Sequence, residues 1–293
     1  MKRLNKILKK NSLRVNSYEK NGRVIIIGTK NGKYVIKKTK DNKEIFNYLI
    51  TRNFNYYPDI IDYSDNYEIT KYINNIEIPE EQKINDLIKL VAHLHLKTTY
   101  YKELDNSQYK QIYEDLNNNI EYLTEYYNDL INIIDTKVYM SPPEYLLARN
   151  ISIIFSSLNY CHNKLEEWYQ DVCKLDKYRV AVIHNNLKLS HFIKNHNDYL
   201  ISWDKSKIDS PIFDLYKLYN NHVLDFNFCD ILKKYEEIYP LTKEELSLFK
   251  ILISMPNKIE LNSNNYETCK NIGKELDKIY KTEKLVKEYK KIK

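Results

Sequence analysis

The side chains best placed for chemistry lie between residues 180 and 218, where two short apolar runs each end on polar residues. The first run, Val180–Ile183, leads directly into a polar loop that begins at His184. The second run, Tyr199–Ile201, ends close to Asp204. Strands that end on polar side chains hold those side chains on a rigid frame, as catalytic and binding groups require. The pattern therefore predicts two strands and an intervening loop that together present a functional site.

The N-terminal part of the chain has the pattern of an antiparallel sheet. Asn21-Gly22 and Asn31-Gly32 are strong hairpin signals, because both residue types tolerate the positive φ that tight hairpin turns need. A helix over Asp41–Phe54, with Asp41 as its N-cap, is predicted after the third strand. The predicted strands are Leu13–Glu19, Arg23–Thr29, Lys33–Lys38 and, after the helix, Tyr67–Ile73.

Helical patterns dominate the rest of the chain. Helices are expected over Glu80–Thr99, over Asn106–Ile134 with a break near Asn117, and again after Leu215. A long helix opening at Pro142 carries an apolar stripe whose members are spaced alternately by four and three residues, which predicts a buried seam. A coiled-coil dimer seam is the alternative. The stripe consists of Leu147, Ile151, Ile154, Leu158, Cys161, Leu165, Trp168 and Val172.

A β-rich segment followed by helices indicates an α+β fold. We predict a β-rich lobe at residues 1–74 and a mainly helical lobe at residues 75–293 that carries the stretch described first.

Composition narrows the range of functions. The 293 residues include 46 basic and 40 acidic side chains, and a net charge of +6 is too small an excess to indicate a nucleic-acid-binding protein. Four glycines argue against several glycine-rich phosphate loops, and four dispersed cysteines predict neither a zinc site nor a disulfide framework. The absence of a long apolar run or a signal-peptide pattern predicts a cytoplasmic protein without a transmembrane segment, with a spore association as a further possibility. The basic residues 1–11 are expected to form an amphipathic helix.

Taken in order, these motifs resemble the aminoglycoside phosphotransferase and choline kinase group of protein-kinase-like folds, which includes the bacterial spore coat kinase-like proteins. The resemblance covers about residues 12–275. Segment Tyr34–Lys37 matches the family's strand lysine motif, and Glu44 matches the helix glutamate that pairs with that lysine. Segment His184–His191 aligns with the catalytic loop H-G-D-x-x-x-x-N. Segment Ile201–Asp204 aligns with the strand I-D-W-D, whose last aspartate holds magnesium. The resemblance implies a two-lobed fold that binds ATP and Mg²⁺.

Three departures fall on the positions that carry the chemistry. Phosphoryl transfer needs a cationic phosphate cradle, a metal on oxygen ligands and a carboxylate that accepts the hydroxyl proton. Lys37 and Asp204 can supply the first two, but Asn186 stands at the base position and cannot take a proton near neutral pH. His191 stands at the second metal position, where an imidazole suits magnesium poorly. The hairpin Glu19–Arg23, with one glycine, is too short to wrap phosphates as a G-x-G-x-x-G loop does.

Each site residue also has a structural interpretation. Lys37 with Glu44 could be a plain ion pair that stabilises the lobe. His184 is better explained as a histidine that fixes the loop than as a base. Asp214 is expected to cap backbone N–H groups, and Trp203 is expected in the core.

These observations favour a pseudokinase that acts by binding, with impaired phosphoryl transfer and degenerate ATP and magnesium binding. Its partner would be a nucleotide, a small molecule or a protein. The alternative is an active ATP-dependent phosphotransferase that uses a small-molecule hydroxyl acceptor, because Lys37, Glu44 and Asp204 are all present. A nucleic-acid-binding role would rest on the basic termini alone and has no matching motif.

Overall fold

The computed structural model describes residues 8, 11, 13–22, 24–38, 42–64, 67–103 and 106–289. The chain forms two compact units, each made of two segments. The first unit comprises Met1–Thr99 and Ala181–Asp209, and the second comprises Tyr100–Val180 and Ser210–Lys293. This division differs from the lobes proposed at residues 1–74 and 75–293, and that boundary stays a prediction. The predicted helix over residues 1–11 lies outside the described residues except for Leu8 and Asn11.

The first unit begins with a five-stranded antiparallel sheet of order β1-β2-β3-β5-β4. Both predicted Asn-Gly turns are present: Asn21 pairs with Val24 across the first, and Thr29 pairs with Gly32 across the second. Gly22 has a φ of 57°, which glycine adopts without steric cost. The elements are β1 (Val15–Asn21), β2 (Val24–Thr29), β3 (Gly32–Lys38), helix α1 (Lys43–Thr51), β4 (Ile60–Ser64) and β5 (Tyr67–Lys71).

The two faces of this sheet have different surroundings. Ile27, Ile36 and Ile69, one from each of three neighbouring strands, are completely buried together with Leu8. Because side chains alternate along a strand, the residues between them face the opposite side. That opposite face carries Lys37 and lines the cavity described below.

The rest of the first unit holds the predicted strand-loop-strand. Helix α2 (Glu80–Thr98) ends where the Thr98 hydroxyl accepts a hydrogen bond from the backbone N–H of Val182, at 3.0 Å. Val182 lies in β7 (Lys177–Ile183), which pairs antiparallel with β10 (Lys207–Asp209). The connection between them contains the hairpin β8 (Phe192–Lys194) and β9 (Asp198–Leu200).

The second unit is mainly helical. It contains β6 (Tyr100–Glu103), which pairs with β7, and six helices: α3 (Asn106–Asp135), α4 (Pro142–Val172), α5 (Ile212–His222), α6 (Phe228–Glu236), α7 (Lys243–Ser254) and α8 (Asn265–Tyr289). Helix α3 runs through Asn117 without the predicted break. The α4 stripe is buried apart from the half-buried Ile151, and α4 packs on α3, α7 and α8. The predicted buried seam is therefore an intramolecular core.

The structure confirms an α+β fold with an antiparallel sheet and a larger helical part. Strands β4, β6, β8 and β10 were missed, since all four are short and form strands through pairing with β5, β7 and β9. The predicted N-cap Asp41 lies outside the described residues, and Asn42 occupies the N-cap position of α1. No helix in the described part of the chain combines the length and the apolar character that a membrane span requires.

Candidate functional site

The centre of the site is an ion pair between Lys37 and Asp204. Lys37 lies near the end of β3 on the cavity face, and its ammonium contacts the Asp204 carboxylate. The two side chains are 19% and 31% exposed, so water reaches the pair only partly. Lys37, predicted to bind phosphates, and Asp204, predicted to bind a metal, come from separate motifs 167 residues apart. The fold brings their side chains into direct contact.

The turn that carries Asp204 is held from two sides. Ser202 has a φ of 68°, a left-handed conformation that costs a non-glycine residue about 1–2 kcal/mol. It reverses the chain between Ile201 and a short 3₁₀ turn, Trp203–Lys205. The side-chain amide of Asn42, at the start of α1, donates to the Trp203 carbonyl at 2.7 Å. Local strain and a tertiary hydrogen bond together set the direction of the carboxylate.

His184 links the loop to the strand that leads to Asp204. Its ring is fully buried and lies 5.0 Å from the ring of Trp203, centroid to centroid. Its Nε2 is 2.8 Å from the Ile201 carbonyl. Because a carbonyl only accepts, Nε2 must carry the proton. These contacts hold the loop against the strand that leads to Asp204, and the role of His184 as a loop-fixing residue stays a prediction.

Asn185 occupies the glycine position of the H-G-D pattern. Its φ is 55°, in the left-handed region where glycine is favoured and asparagine is tolerated. Its side-chain amide donates to the Lys205 carbonyl at 3.2 Å. Asn185 thus adopts a left-handed conformation of the kind that glycine adopts most readily.

Asn186 and His191 are in direct contact. The His191 Nδ1 donates to the Asn186 carbonyl at 2.6 Å, which leaves Nε2 of the neutral ring with its lone pair available. Burial lowers the pKa of His191 below its usual value, and the nearby Lys188 and Lys37 lower it further. His191 is therefore neutral near pH 7. Asn186 itself is half-buried.

The donors at the metal positions fit magnesium only in part. The Asp204 carboxylate is a hard oxygen ligand of the kind magnesium prefers, whereas a neutral imidazole suits borderline transition metals. Among the described residues there is no group of three or more His, Cys, Asp or Glu side chains that could hold a metal ion. The assignment of Asp204 and His191 as magnesium ligands stays a prediction, and the chemistry of the two donors predicts weak binding.

The carboxylate expected beside Lys37 is not where the motif predicts it. Glu44 lies on the exposed side of α1, and the described part of the chain shows no ion pair between it and Lys37. Instead, β5 places Glu68 directly opposite Lys37 in the antiparallel register. Burial raises the pKa of Glu68, and the charge of Asp204 adds to this, while the charge of Lys37 opposes it. Reasoning from the sequence missed Glu68, although a charged residue inside a predicted strand was the available signal.

A cavity of about 340 Å³ adjoins these groups within the first unit. Its lining is mostly apolar and includes aromatic rings, and Lys37, Glu68 and Lys71 are its charged residues. A concave apolar space with a few convergent polar groups is typical of a small-molecule site. The lining includes Val24, Ile26, Val35, Ile60, Ile193 and Trp203.

Comparison with known proteins gives matches at the level of structure alone. Neither a protein-family description nor a curated protein sequence matches the chain. An aminoglycoside phosphotransferase from Alicyclobacillus acidocaldarius is similar with a TM-score of 0.66 and 11% identity, over 94% of this chain and 92% of the other. A spectinomycin phosphotransferase solved with ADP and spectinomycin has a TM-score of 0.59 and 13% identity, over 96% and 98%. A choline kinase from Streptococcus pneumoniae has a TM-score of 0.50 and 16% identity, over 94% and 99%.

These similarities extend over nearly the whole chain. At such low identity they establish the fold and leave the chemistry to the residues of the site. The chain therefore has the protein-kinase-like fold shared by aminoglycoside phosphotransferases and choline kinase.

Proposed function

We propose that this protein is a pseudokinase: it binds a nucleotide in the cavity beside Lys37 and acts through binding, with little or no phosphoryl transfer. The observation that carries the proposal is the combination of an intact Lys37–Asp204 pair with an amide, Asn186, at the position of the base. The first two groups serve nucleotide binding, whereas the missing carboxylate serves only transfer.

The cavity supports a nucleotide as the ligand. Apolar side chains from both layers, such as Val35 and Ile193, suit a flat aromatic base, and Lys37 suits phosphate oxygens. The similar spectinomycin phosphotransferase was solved with ADP and with AMP. The turn between β1 and β2, which would cover the phosphates, can contribute few contacts to them. Asn21 pairs with Val24, which leaves only two residues in this turn. We therefore expect binding in the micromolar to millimolar range.

A thermal-shift titration with ATP, with and without Mg²⁺, tests the binding step. A nucleotide that binds only the folded protein raises its melting temperature by mass action. We expect stabilisation by ATP that magnesium increases only modestly, since Asp204 is the one good magnesium ligand. The absence of any shift at millimolar nucleotide would refute nucleotide binding.

Restoring the base tests the impaired transfer. The variant Asn186→Asp places a carboxylate at the position of the base, and general base catalysis contributes about 10²–10⁴-fold. We expect ATP turnover to rise by a factor within this range, whereas Asn185→Asp, which adds the same charge one residue earlier, produces no gain. Equal turnover by the wild type and Asn186→Asp would show that the amide does not disable the site.

The second candidate function is an active small-molecule phosphotransferase, and the Lys37–Asp204 contact is the observation in its favour. In that case the wild type itself would turn over ATP when a hydroxyl acceptor is supplied. A panel of aminoglycosides, spectinomycin and choline, the compounds named for the structurally similar enzymes, provides the first acceptors to assay.

A further inference from the structure

Lys37 has two carboxylates near it, and they come from different parts of the first unit. Asp204 lies on a turn at the end of a strand and contacts the ammonium directly. Glu68 lies in the middle of β5, opposite Lys37 in the sheet. Side chains directly opposite each other in antiparallel strands have Cβ atoms about 4.5–5.5 Å apart. Sheet register, unlike the conformation of a turn, keeps this neighbour in place.

Glu68 is itself fixed on its other side. Its register partner in β4 is Tyr63, so the tyrosine side chain lies beside the carboxylate on the same face of the sheet. Tyr63 in turn packs against Phe46 of α1, with ring centroids 6.1 Å apart. The carboxylate therefore lies in a row of three cross-strand neighbours, between a phenol and an ammonium.

An acidic side chain in this position needs an explanation. Glu68 lines a mostly apolar cavity and is half-buried, where an ionised carboxylate is unfavourable unless it is paired. Charged residues in such places are retained when they serve a site or are compensated by a partner. Lys37 is the cation whose charge opposes the upward shift of the Glu68 pKa.

We propose that Glu68 is the residue that positions Lys37 for the phosphates of a bound nucleotide, in the role that the motif assigns to Glu44. This rests on the proposed nucleotide binding. A bound metal would be held by Asp204 and the phosphates would be held by Lys37, so each residue of the pair would gain a new partner. Glu68 stays in the sheet and holds the ammonium at the inner end of the cavity. Glu44, on the exposed side of α1, contributes nothing to this.

The test compares two ligands that share the base but differ in phosphate. Adenosine fills the apolar part of the cavity, and ATP adds the groups that Lys37 would contact. We expect Glu68→Gln to weaken ATP binding by about three- to fivefold, the value of a cross-strand ion pair, and to leave adenosine binding unchanged. General damage to the sheet would weaken both ligands alike, and that result would overturn the proposal.

Two further variants sharpen the comparison. Glu81→Gln removes an exposed carboxylate of α2 in the same unit and serves as the matched control, with no expected effect on either ligand. Glu44→Gln tests the competing assignment. If it weakens ATP binding as much as Glu68→Gln does, Glu44 is the positioning residue and the proposal is wrong.

A cycle in the nucleotide-free protein separates this inference from the proposed function. Urea unfolding of Lys37→Met, Glu68→Gln and the double variant should give non-additive changes, because the two side chains interact. Additive changes would overturn the proposal even if ATP binds well. If the wild type binds neither ATP nor adenosine, the proposed function fails, and this cycle still decides whether Glu68 holds Lys37.

Discussion

Arg179 anchors the strand that leads to the loop at His184. Its guanidinium binds the Glu245 carboxylate through Nε, at 3.0 Å, and through Nη2. Nη2 also donates to the Pro240 carbonyl at 2.8 Å, and the guanidinium lies 4.2 Å from the centre of the Tyr239 ring. The Arg179 and Glu245 side chains are only 12% and 10% exposed. This buried, bidentate ion pair in the second unit is well suited to a test by mutation.

Arg179→Met should destabilise the protein by about 3 kcal/mol. Removing one partner of a buried ion pair costs about 3–5 kcal/mol, because the other charge is left uncompensated. The lower value applies here, since Glu245 keeps the hydrogen bond that it accepts from the backbone N–H of Thr242, at 3.0 Å. Arg179→Lys retains the charge but loses the bidentate geometry, and we expect a cost of about 1–1.5 kcal/mol.

Urea unfolding followed by circular dichroism measures both values. With a slope of about 2–3 kcal/mol per molar urea, the midpoint should fall by roughly 1–1.5 M for Arg179→Met. The double variant Arg179→Met/Glu245→Gln should be less destabilised than the sum of its single changes, because no orphaned charge remains. Equal losses for Arg179→Met and Arg179→Lys, or a loss below about 1 kcal/mol for the former, would refute the reasoning.

Three further predictions concern a helix cap and the loop. Glu144 lies in the capping box of α4, and Lys137 and the hydrogen bonds at Ser141 lower its pKa to about 2. The ionised carboxylate therefore stabilises the folded state at neutral pH. This contribution disappears as the pH falls from about 5 to about 2. Glu144→Gln should therefore cost about 1–2 kcal/mol at neutral pH in urea unfolding and progressively less in acid, whereas a pH-independent loss would contradict this. Asn185→Ala should cost about 1–2 kcal/mol and Asn185→Gly almost nothing, because only the former is strained at a φ of 55°; equal melting temperatures would argue against strain. His191→Asn should increase the stabilisation that Mg²⁺ adds to ATP, as thermal shift can measure, and an unchanged magnesium effect would show that this position does not meet the metal.

Local patterns were sufficient for much of the fold. The two hairpin turns could be placed because Gly22 and Gly32 adopt the positive φ that glycine tolerates. The spacing of the α4 stripe specifies a buried face whatever packs against it. The order of the motifs could also be identified from the sequence, because Lys37, the loop from His184 and the turn at Asp204 each have a short sequence pattern.

The acidic neighbours of Lys37 were decided by tertiary structure. The spacing of a motif gives only the order of residue types along the chain. It predicted that Glu44, on the next helix, pairs with Lys37. Whether that helix turns its glutamate toward the lysine depends on packing across the sheet, and here α1 leaves Glu44 exposed. The pairing of β3 with β5 brings Glu68 opposite Lys37 across 31 residues of chain, and no local pattern records such a register.

The sequence by itself thus determined the kinase-like fold, the Lys37 and Asp204 positions and the amide at Asn186, because these depend on residue type and order. Only the tertiary structure decided which carboxylates surround Lys37 and how His191 is oriented, because both depend on contacts between strands and turns that are distant in the chain.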